Sequence, residues 1–253
     1  MWTTQIVRGP SNFDYNDLIS GKIPALIIPD VLSKSICASL SNKILNLNSI
    51  TSIPRISKKI GTSISSHIYK KSKYFSNAKI SNQSLKHIFS ENDSPIDIMQ
   101  QTISKVFEKQ MFTANENGMT YSYAMIRIHE HGDSVHLHRD NSDFEMSEYG
   151  ISNLKNQLSA ILYLQSPLNG GKLRIYNKMW NKNDEHMRCP EFGYSSDLIK
   201  NTSQKKIPPI TGNMVVFNPK LYHQVESVIG IKSRISLGFF FGEMSKNHLC
   251  SWT

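Results

Sequence analysis

At 253 residues the chain is long enough to bury a sizeable core without disulfide or metal staples, and 39% apolar with 19% charged residues exclude the disordered class. Twenty-nine Lys and Arg against 20 Asp and Glu leave a net charge of +9, which admits anionic partners without indicating one. Cys37, Cys189 and Cys250 are widely spaced and form no Cys-x-x-Cys pair, which excludes a disulfide scaffold and a thiolate zinc site.

A reducing cytoplasm suits such thiols. Met1 to Pro10 is polar, without the apolar centre of a signal peptide, and no apolar run nears the roughly 18 residues of a membrane span. The expectation is one soluble catalytic domain over 1–253, with a mostly helical part over 1–118 and a β core over 119–245.

In chain order, Ser33 predicts a cap for a helix reaching about Leu47, with Ile36, Leu40, Ile44 and Leu45 on a shared face. The stretch 51–90 is rich in Ser, Ile, Lys and Asn and reads as a solvated face or mobile loop. Its Lys58, Lys59, Lys70, Lys71 and Lys73 have too few aromatic neighbours for a nucleic-acid surface. Ser94 as cap, Pro95 at the first position and Asp97 in the first turn predict a second helix carrying Ile98, Met99, Ile103, Val106 and Phe107.

From Met119 the period falls to two. Strands are predicted at 120–128, 134–140, 157–164, 172–177, 213–218, 222–228 and 233–241, the number a jelly roll needs. Two long polar insertions, 141–156 and 178–212, read as lids or binding loops.

In Val135-His136-Leu137-His138-Arg139-Asp140, strand geometry predicts His136, His138 and Asp140 on one side, with Cα atoms of i and i+2 about 6.6 Å apart, so that an imidazole and a carboxylate can share one ion. His131-Gly132-Asp133 has the same His-x-Asp form, but its glycine reads as a turn. Further on, Tyr222-His223 closes a strand and Arg234-Ile235-Ser236 opens the next. A hairpin turning near Gly230 would set Arg234 opposite about Ser227, roughly 13 Å along the sheet from His223. That span suits a short dicarboxylate, chelated to a metal at one end and gripped by guanidinium and hydroxyl at the other. Two histidines and one carboxylate leave three octahedral positions open, the facial triad of non-haem Fe(II).

With these landmarks the chain resembles the Fe(II)/2-oxoglutarate-dependent oxygenases over about Thr120 to Gly242. They are His138-Arg139-Asp140, Leu162-Tyr163-Leu164-Gln165, 170–176 with its Gly-Gly pair, 212–217 leading to Tyr222-His223, and Arg234-Ile235-Ser236. The resemblance implies a mainly β (α+β) fold, a cupin-like double-stranded β-helix or jelly roll with N-terminal helices packed against it. It implies His138, Asp140 and His223 on Fe(II), Arg234 and Ser236 on the distal carboxylate of 2-oxoglutarate, and Tyr163 helping there. Succinate and CO2 would be released as O2 is consumed.

Within that family the chain looks most like freestanding small-molecule enzymes, hydroxylases of N-acylated amino acids and carrier-independent halogenases. The halogenases carry Gly where this chain has Asp140, so the resemblance implies hydroxylation of an amino acid or amino-acid-derived metabolite. Phe144 and Ser159 match residues bordering the substrate in that subgroup, and Trp180 and Tyr176 are candidates to line the pocket. The alternatives are a peptide or protein hydroxylase, a halogenase, a nucleic-acid demethylase and a non-catalytic cupin-like module. No second arginine follows Arg234 in 237–242 as the demethylases have it, and nothing in folding alone requires five such polar residues to stand on inward faces.

Overall fold

A computed structural model describes residues 2–8, 13–47, 51–53, 57–90 and 94–253. Its centre is a ten-stranded sheet and a four-stranded sheet whose side chains line one cavity. From edge to edge the large sheet runs Gln5–Ile6, Leu26–Ile28, Met214–Phe217, Lys155–Gln165, Arg234–Ser245, Met125–His129, Ser57–Ile60 and Thr51–Ile53. His248–Trp252 folds back on the outer half of Arg234–Ser245 and pairs in turn with Gln110–Thr113. The small sheet is Gln204–Ile207, Leu173–Met179, Leu221–Val225 and Val135–His138, antiparallel throughout. This is the mainly β jelly-roll architecture read from the sequence, its two sheets open rather than closed into a barrel.

Strict alternation along the central strands of the large sheet separates packing from chemistry. Leu158, Ala160, Leu162 and Leu164 join one buried cluster with Ile126, Ile128, Ile235 and Leu237. That cluster also takes in Leu40 and Ile44 of the helix Lys34–Leu45 and Met99, Ile103 and Val106 of Pro95–Phe107. Residues of opposite parity, Ser159 and Ile161, Met125, Arg127 and His129, Arg234, Ser236 and Gly238, line the cavity. Each apolar side chain so buried contributes about 1.5–3 kcal/mol, so the helical layer holds the sheet that presents the polar set.

Both predicted caps form. Ser33 Oγ accepts from the Ile36 amide at 3.3 Å, Ser94 Oγ accepts from the Asp97 amide at 3.4 Å, and Pro95 stands in the first turn.

The arrangement of elements differs from the sequence reading in four places. Residues 1–118 are less helical than expected, because Gln5–Ile6, Leu26–Ile28, Thr51–Ile53 and Ser57–Ile60 extend the large sheet. In the basic stretch 51–90 the described residues form strands and helices rather than a loop. The stretch ends in the 18-residue helix Lys71–Ile88, which buries the stripe Tyr74, Phe75, Ala78, Leu85 and Ile88 and turns its lysines outward. The insertions contain short helices, Ser142–Glu145, Gly150–Asn153, Lys182–Met187 and Ser196–Ile199, and the strand Gln204–Ile207. No hairpin turns at Gly230: Leu221–Val225 lies in the small sheet, whereas Arg234–Ser245 lies in the large one between Lys155–Gln165 and Met125–His129. Arg234 therefore stands opposite His129, not Ser227.

Candidate active site

The strands Val135–His138 and Leu221–Val225 pair with His138 directly opposite His223. A register shift follows, so that Val225 stands opposite Val135, and the extra residue on that side is a β-bulge. The bulge changes the parity of the strand. Val135 and His138 both line the cavity, while His136, expected on the side of His138 and Asp140, is exposed. Asp140 lies just past the strand end, its amide donating to the Pro219 carbonyl at 2.9 Å, which turns its carboxylate back toward the histidines. His131-Gly132-Asp133 forms a turn, with Gly132 at φ 87°.

Asp140 Oδ2 is 3.5 Å from His223 Nε2 and 3.9 Å from His138 Nε2. One ligand atom from each of the three lies within 4.8 Å of the others, and this is the one such group of three among the described residues. His138 Nδ1 sits 2.8 Å from the His136 carbonyl and His223 Nδ1 sits 2.8 Å from the Leu221 carbonyl. A carbonyl can only accept, so both Nδ1 atoms carry the proton and both Nε2 lone pairs face the centre. Burial, then the neighbouring His223, pushes the His138 pKa down to about 3, which keeps the imidazole in its ligand form. Burial alone would raise Asp140, but His223, His138 and Arg127 outweigh it and hold the carboxyl ionised, down to about 2.

Neighbouring groups fix these side chains. Phe217 meets the His223 ring edge-on at 4.9 Å, and Phe192 lies 5.3 Å from His138. Between the two ligands of the 138–140 segment, Arg139 points away from the cavity and is clamped by Glu145 at 2.8 Å and Glu185 at 2.9 Å. The Trp180 ring covers its guanidinium at 4.6 Å and that of Phe144 at 5.4 Å. Phe144 and Trp180, expected beside the substrate, therefore pack on the outer side of the 138–140 segment, as Tyr176 packs beside Leu137, Tyr194 and Tyr222. Ser159 does line the cavity.

The cavity holds about 110 Å³ and passes from the three ligand side chains to a polar end built by the large sheet. There Arg234 is 2% exposed, its Nη1 donating to Ser236 Oγ at 3.2 Å and lying 3.4 Å from His129 Nδ1. The guanidinium covers the Tyr163 ring at 5.0 Å. Gly171 makes room for it, because a Cβ there would lie 3.0 Å from Arg234 Cδ, and the residue holds φ at 62°. Arg234 Nε, Tyr163 Oη and His129 Nε2 are buried without a hydrogen-bond partner. Each such atom costs about 1–3 kcal/mol unless a ligand meets it. Burial, then Arg234 and Arg127, keeps His129 well below its ordinary pKa, so it stands neutral beside the guanidinium.

Arg127 and His129 were not singled out by sequence reasoning, although Met125-Ile126-Arg127-Ile128-His129 carried the signal. Its isoleucines alternate with polar residues that share the cavity face of Arg234.

Two imidazole nitrogens and a carboxylate are the donor set that suits Fe(II) with open positions. A buried guanidinium, a hydroxyl and two orphaned polar atoms form the receptor a distal carboxylate needs. Fold and site together define an Fe(II)- and 2-oxoglutarate-dependent oxygenase, a class that works with Fe(II), 2-oxoglutarate and O2. The chain belongs to the family described as the carrier-protein-independent halogenase WelO5, whose model matches residues 5–250.

A curated relative is the leucinostatins biosynthesis cluster protein S of Purpureocillium lilacinum, 30% identical over 135 residues, 51% of this chain and 54% of that protein. The match thus spans about half the length of the relative. Among solved structures, an N-substituted L-amino acid dioxygenase from Burkholderia ambifaria AMMD, solved also in complex with alpha-KG, superposes with a TM-score of 0.62 at 13% identity, over 94% of this chain and 89% of its own. The alpha-ketoglutarate-dependent epimerase SnoN from nogalamycin biosynthesis superposes with a TM-score of 0.54 at 9% identity, covering 90% of this chain and 85% of that one. No helix among the described residues is long and apolar enough to cross a membrane.

Proposed function

We propose that the protein hydroxylates an unactivated C–H bond of a small molecule, an amino acid or an amino-acid-derived metabolite. The observation that carries this reading is Asp140. Its carboxylate occupies the third protein position beside His138 and His223, at 3.9 and 3.5 Å, which is the place a halide would need. The similarity to an N-substituted L-amino acid dioxygenase and to a biosynthesis-cluster protein supports the substrate class. A cavity walled by both sheets favours a small molecule over a peptide lying in an open groove.

In this reading His138, Asp140 and His223 hold iron, and Arg234, Ser236, Tyr163 and His129 receive the far carboxylate of 2-oxoglutarate. The cofactor pair supplies the oxidation, in which O2 adds one oxygen atom to the substrate and one to 2-oxoglutarate, released as succinate and CO2. The chain's own contribution is placement and exclusion of water. Two fixed Nδ1–H donors orient the imidazoles, the Arg139 clamp sets the segment that bears two of the ligands, and the apolar parts of the cavity wall, Ile161, Leu173, Phe217 and Val225, keep the centre dry.

The test is succinate release from 2-oxoglutarate, screened against free amino acids, their N-acylated forms and alkaloid derivatives in buffers with and without chloride and bromide. A product heavier by one oxygen atom, unchanged by halide, is the expected result. A halogenated product, or turnover of a peptide and of none of these compounds, would contradict it.

A further inference from the structure

The cavity contains a cation that the reading above leaves unused. Arg127 lines it, one register step from the Arg234 end, since Arg127 stands opposite Ser236 where Arg234 stands opposite His129. The Arg127 side chain makes no hydrogen bond or ion pair among the described residues, although Arg139, Arg174 and Arg188 all meet carboxylates. On its other side it faces Lys59 directly across the Ser57–Ile60 strand. Like charges opposite one another on adjacent strands are destabilising, and neither side chain forms an ion pair with an acidic one among the described residues. Burial and Arg234 push the Arg127 pKa down, with Asp140 alone opposing them.

Among the described residues lining the cavity, Asp140 is the only one with a carboxylate side chain, and Arg127 and Arg234 are the only arginines or lysines. If the reading above holds, iron(II) with Asp140 carries one positive charge, dianionic 2-oxoglutarate turns that into one negative charge, and Arg234 brings the sum to zero. Among the side chains, Arg127 is then one positive charge in excess, in a walled site where an uncompensated ion is costly. A substrate with a single carboxylate would cancel it, and a guanidinium fork is the group best shaped to bind one.

We propose that Arg127 is the substrate-carboxylate anchor, so that the enzyme takes substrates with a free carboxylate, N-acylated amino acids among them, and discriminates against their neutral amides. This inference rests on the iron and 2-oxoglutarate reading of the site and adds to it a specificity residue and the ionic form of the substrate.

The test uses protein loaded anaerobically with Fe(II) and 2-oxoglutarate, the wild type beside Arg127→Met and Arg127→Lys. The probes are N-acetyl-L-leucine, N-acetyl-L-phenylalanine and N-acetyl-L-alanine, each against its primary amide. Affinity is read from the change each causes in the charge-transfer absorption of the loaded centre and from the shift in thermal midpoint. In the wild type at least one acid is expected to bind at least about tenfold tighter than its amide, the gain of a charge-assisted pair. Arg127→Met should remove that preference, Arg127→Lys should keep part of it, and half-saturation by 2-oxoglutarate should stay within about threefold in both. Without any ligand, Arg127→Met should melt no lower than the wild type, since it relieves the Lys59 and Arg234 repulsion.

Equal response to acid and amide in every pair, no response included, overturns the inference. So does a large loss of 2-oxoglutarate affinity in Arg127→Met, which would assign the guanidinium to the cosubstrate, or a marked fall in its unliganded melting point, which would make Arg127 structural. Failure of the wild type to develop the absorption band at all is a different outcome: it removes the underlying reading, and this inference with it.

Discussion

Arg234→Ala is expected to raise the 2-oxoglutarate concentration for half-maximal succinate release by about 10- to 100-fold, while Fe(II) affinity stays within about threefold. The fold-change follows from losing a buried charge-assisted pair worth about 1.5–3 kcal/mol. The separation follows from the geometry. Arg234 lies on the large sheet opposite His129, whereas His138 and His223 lie opposite one another on the small sheet, so the guanidinium is set apart from the proposed iron ligands. Tyr163 and Ser236 remain to hold the carboxylate weakly, and for that reason binding should fall rather than vanish. The measurement is an initial-rate titration of 2-oxoglutarate at saturating Fe(II), paired with an Fe(II) titration at saturating 2-oxoglutarate. Loss of both affinities in equal measure would contradict the role given to Arg234.

A larger effect is expected at Asp140. Asp140→Ala removes one of the three proposed donors and, among the described residues, the only carboxylate side chain on the cavity wall, and turnover should fall by more than about 100-fold, beyond the 10- to 100-fold typical of residues that only orient a ligand. The vacated space leaves His138 and His223, their rings 4.1 Å apart, to share the cation alone. Succinate release and retained iron are the two readings, taken with circular dichroism to show that the fold persists. The fold should persist because Asp140 has no part in the apolar clusters. A variant that kept iron and turnover near wild-type levels would remove Asp140 from the centre.

Much of this architecture could be read in the sequence wherever one physical rule acted alone. The two capped helices were legible from Ser33 and from Ser94-Pro95, because a hydroxyl that accepts an orphan amide leaves a local signature. The four central strands of the large sheet were legible from their alternation, and the convergence of His138, Asp140, His223, Arg234 and Ser236 on one cavity from residue type and parity.

The errors arose where tertiary contacts decide. Lys71–Ile88 is hidden by its lysines and serines, since only its stripe from Tyr74 to Ile88 is buried and the rest answers to solvent. The bulge that turns His136 outward follows from pairing with Leu221–Val225, a partner remote in sequence. Strand adjacency misled in the same way. Arg234 follows His223 closely along the chain, and a hairpin was the simplest connection, yet the jelly roll sends the two strands to opposite sheets. That crossing brings the guanidinium over the cavity instead of along one edge. Phe144 lies near Asp140 in sequence and Trp180 lies far from it, but both pack on Arg139, a contact set by Glu145 and Glu185 on two separate insertions.

The most direct test of the whole account is spectroscopic. Protein with Fe(II) under argon is titrated with 2-oxoglutarate, and the visible metal-to-ligand charge-transfer band of the chelated keto acid is followed in the wild type and in His223→Ala. The account predicts a saturable band at one equivalent of iron per wild-type chain and none in the variant. A wild type that stays colourless, or a band of equal intensity without His223, would show that these three side chains do not share one iron.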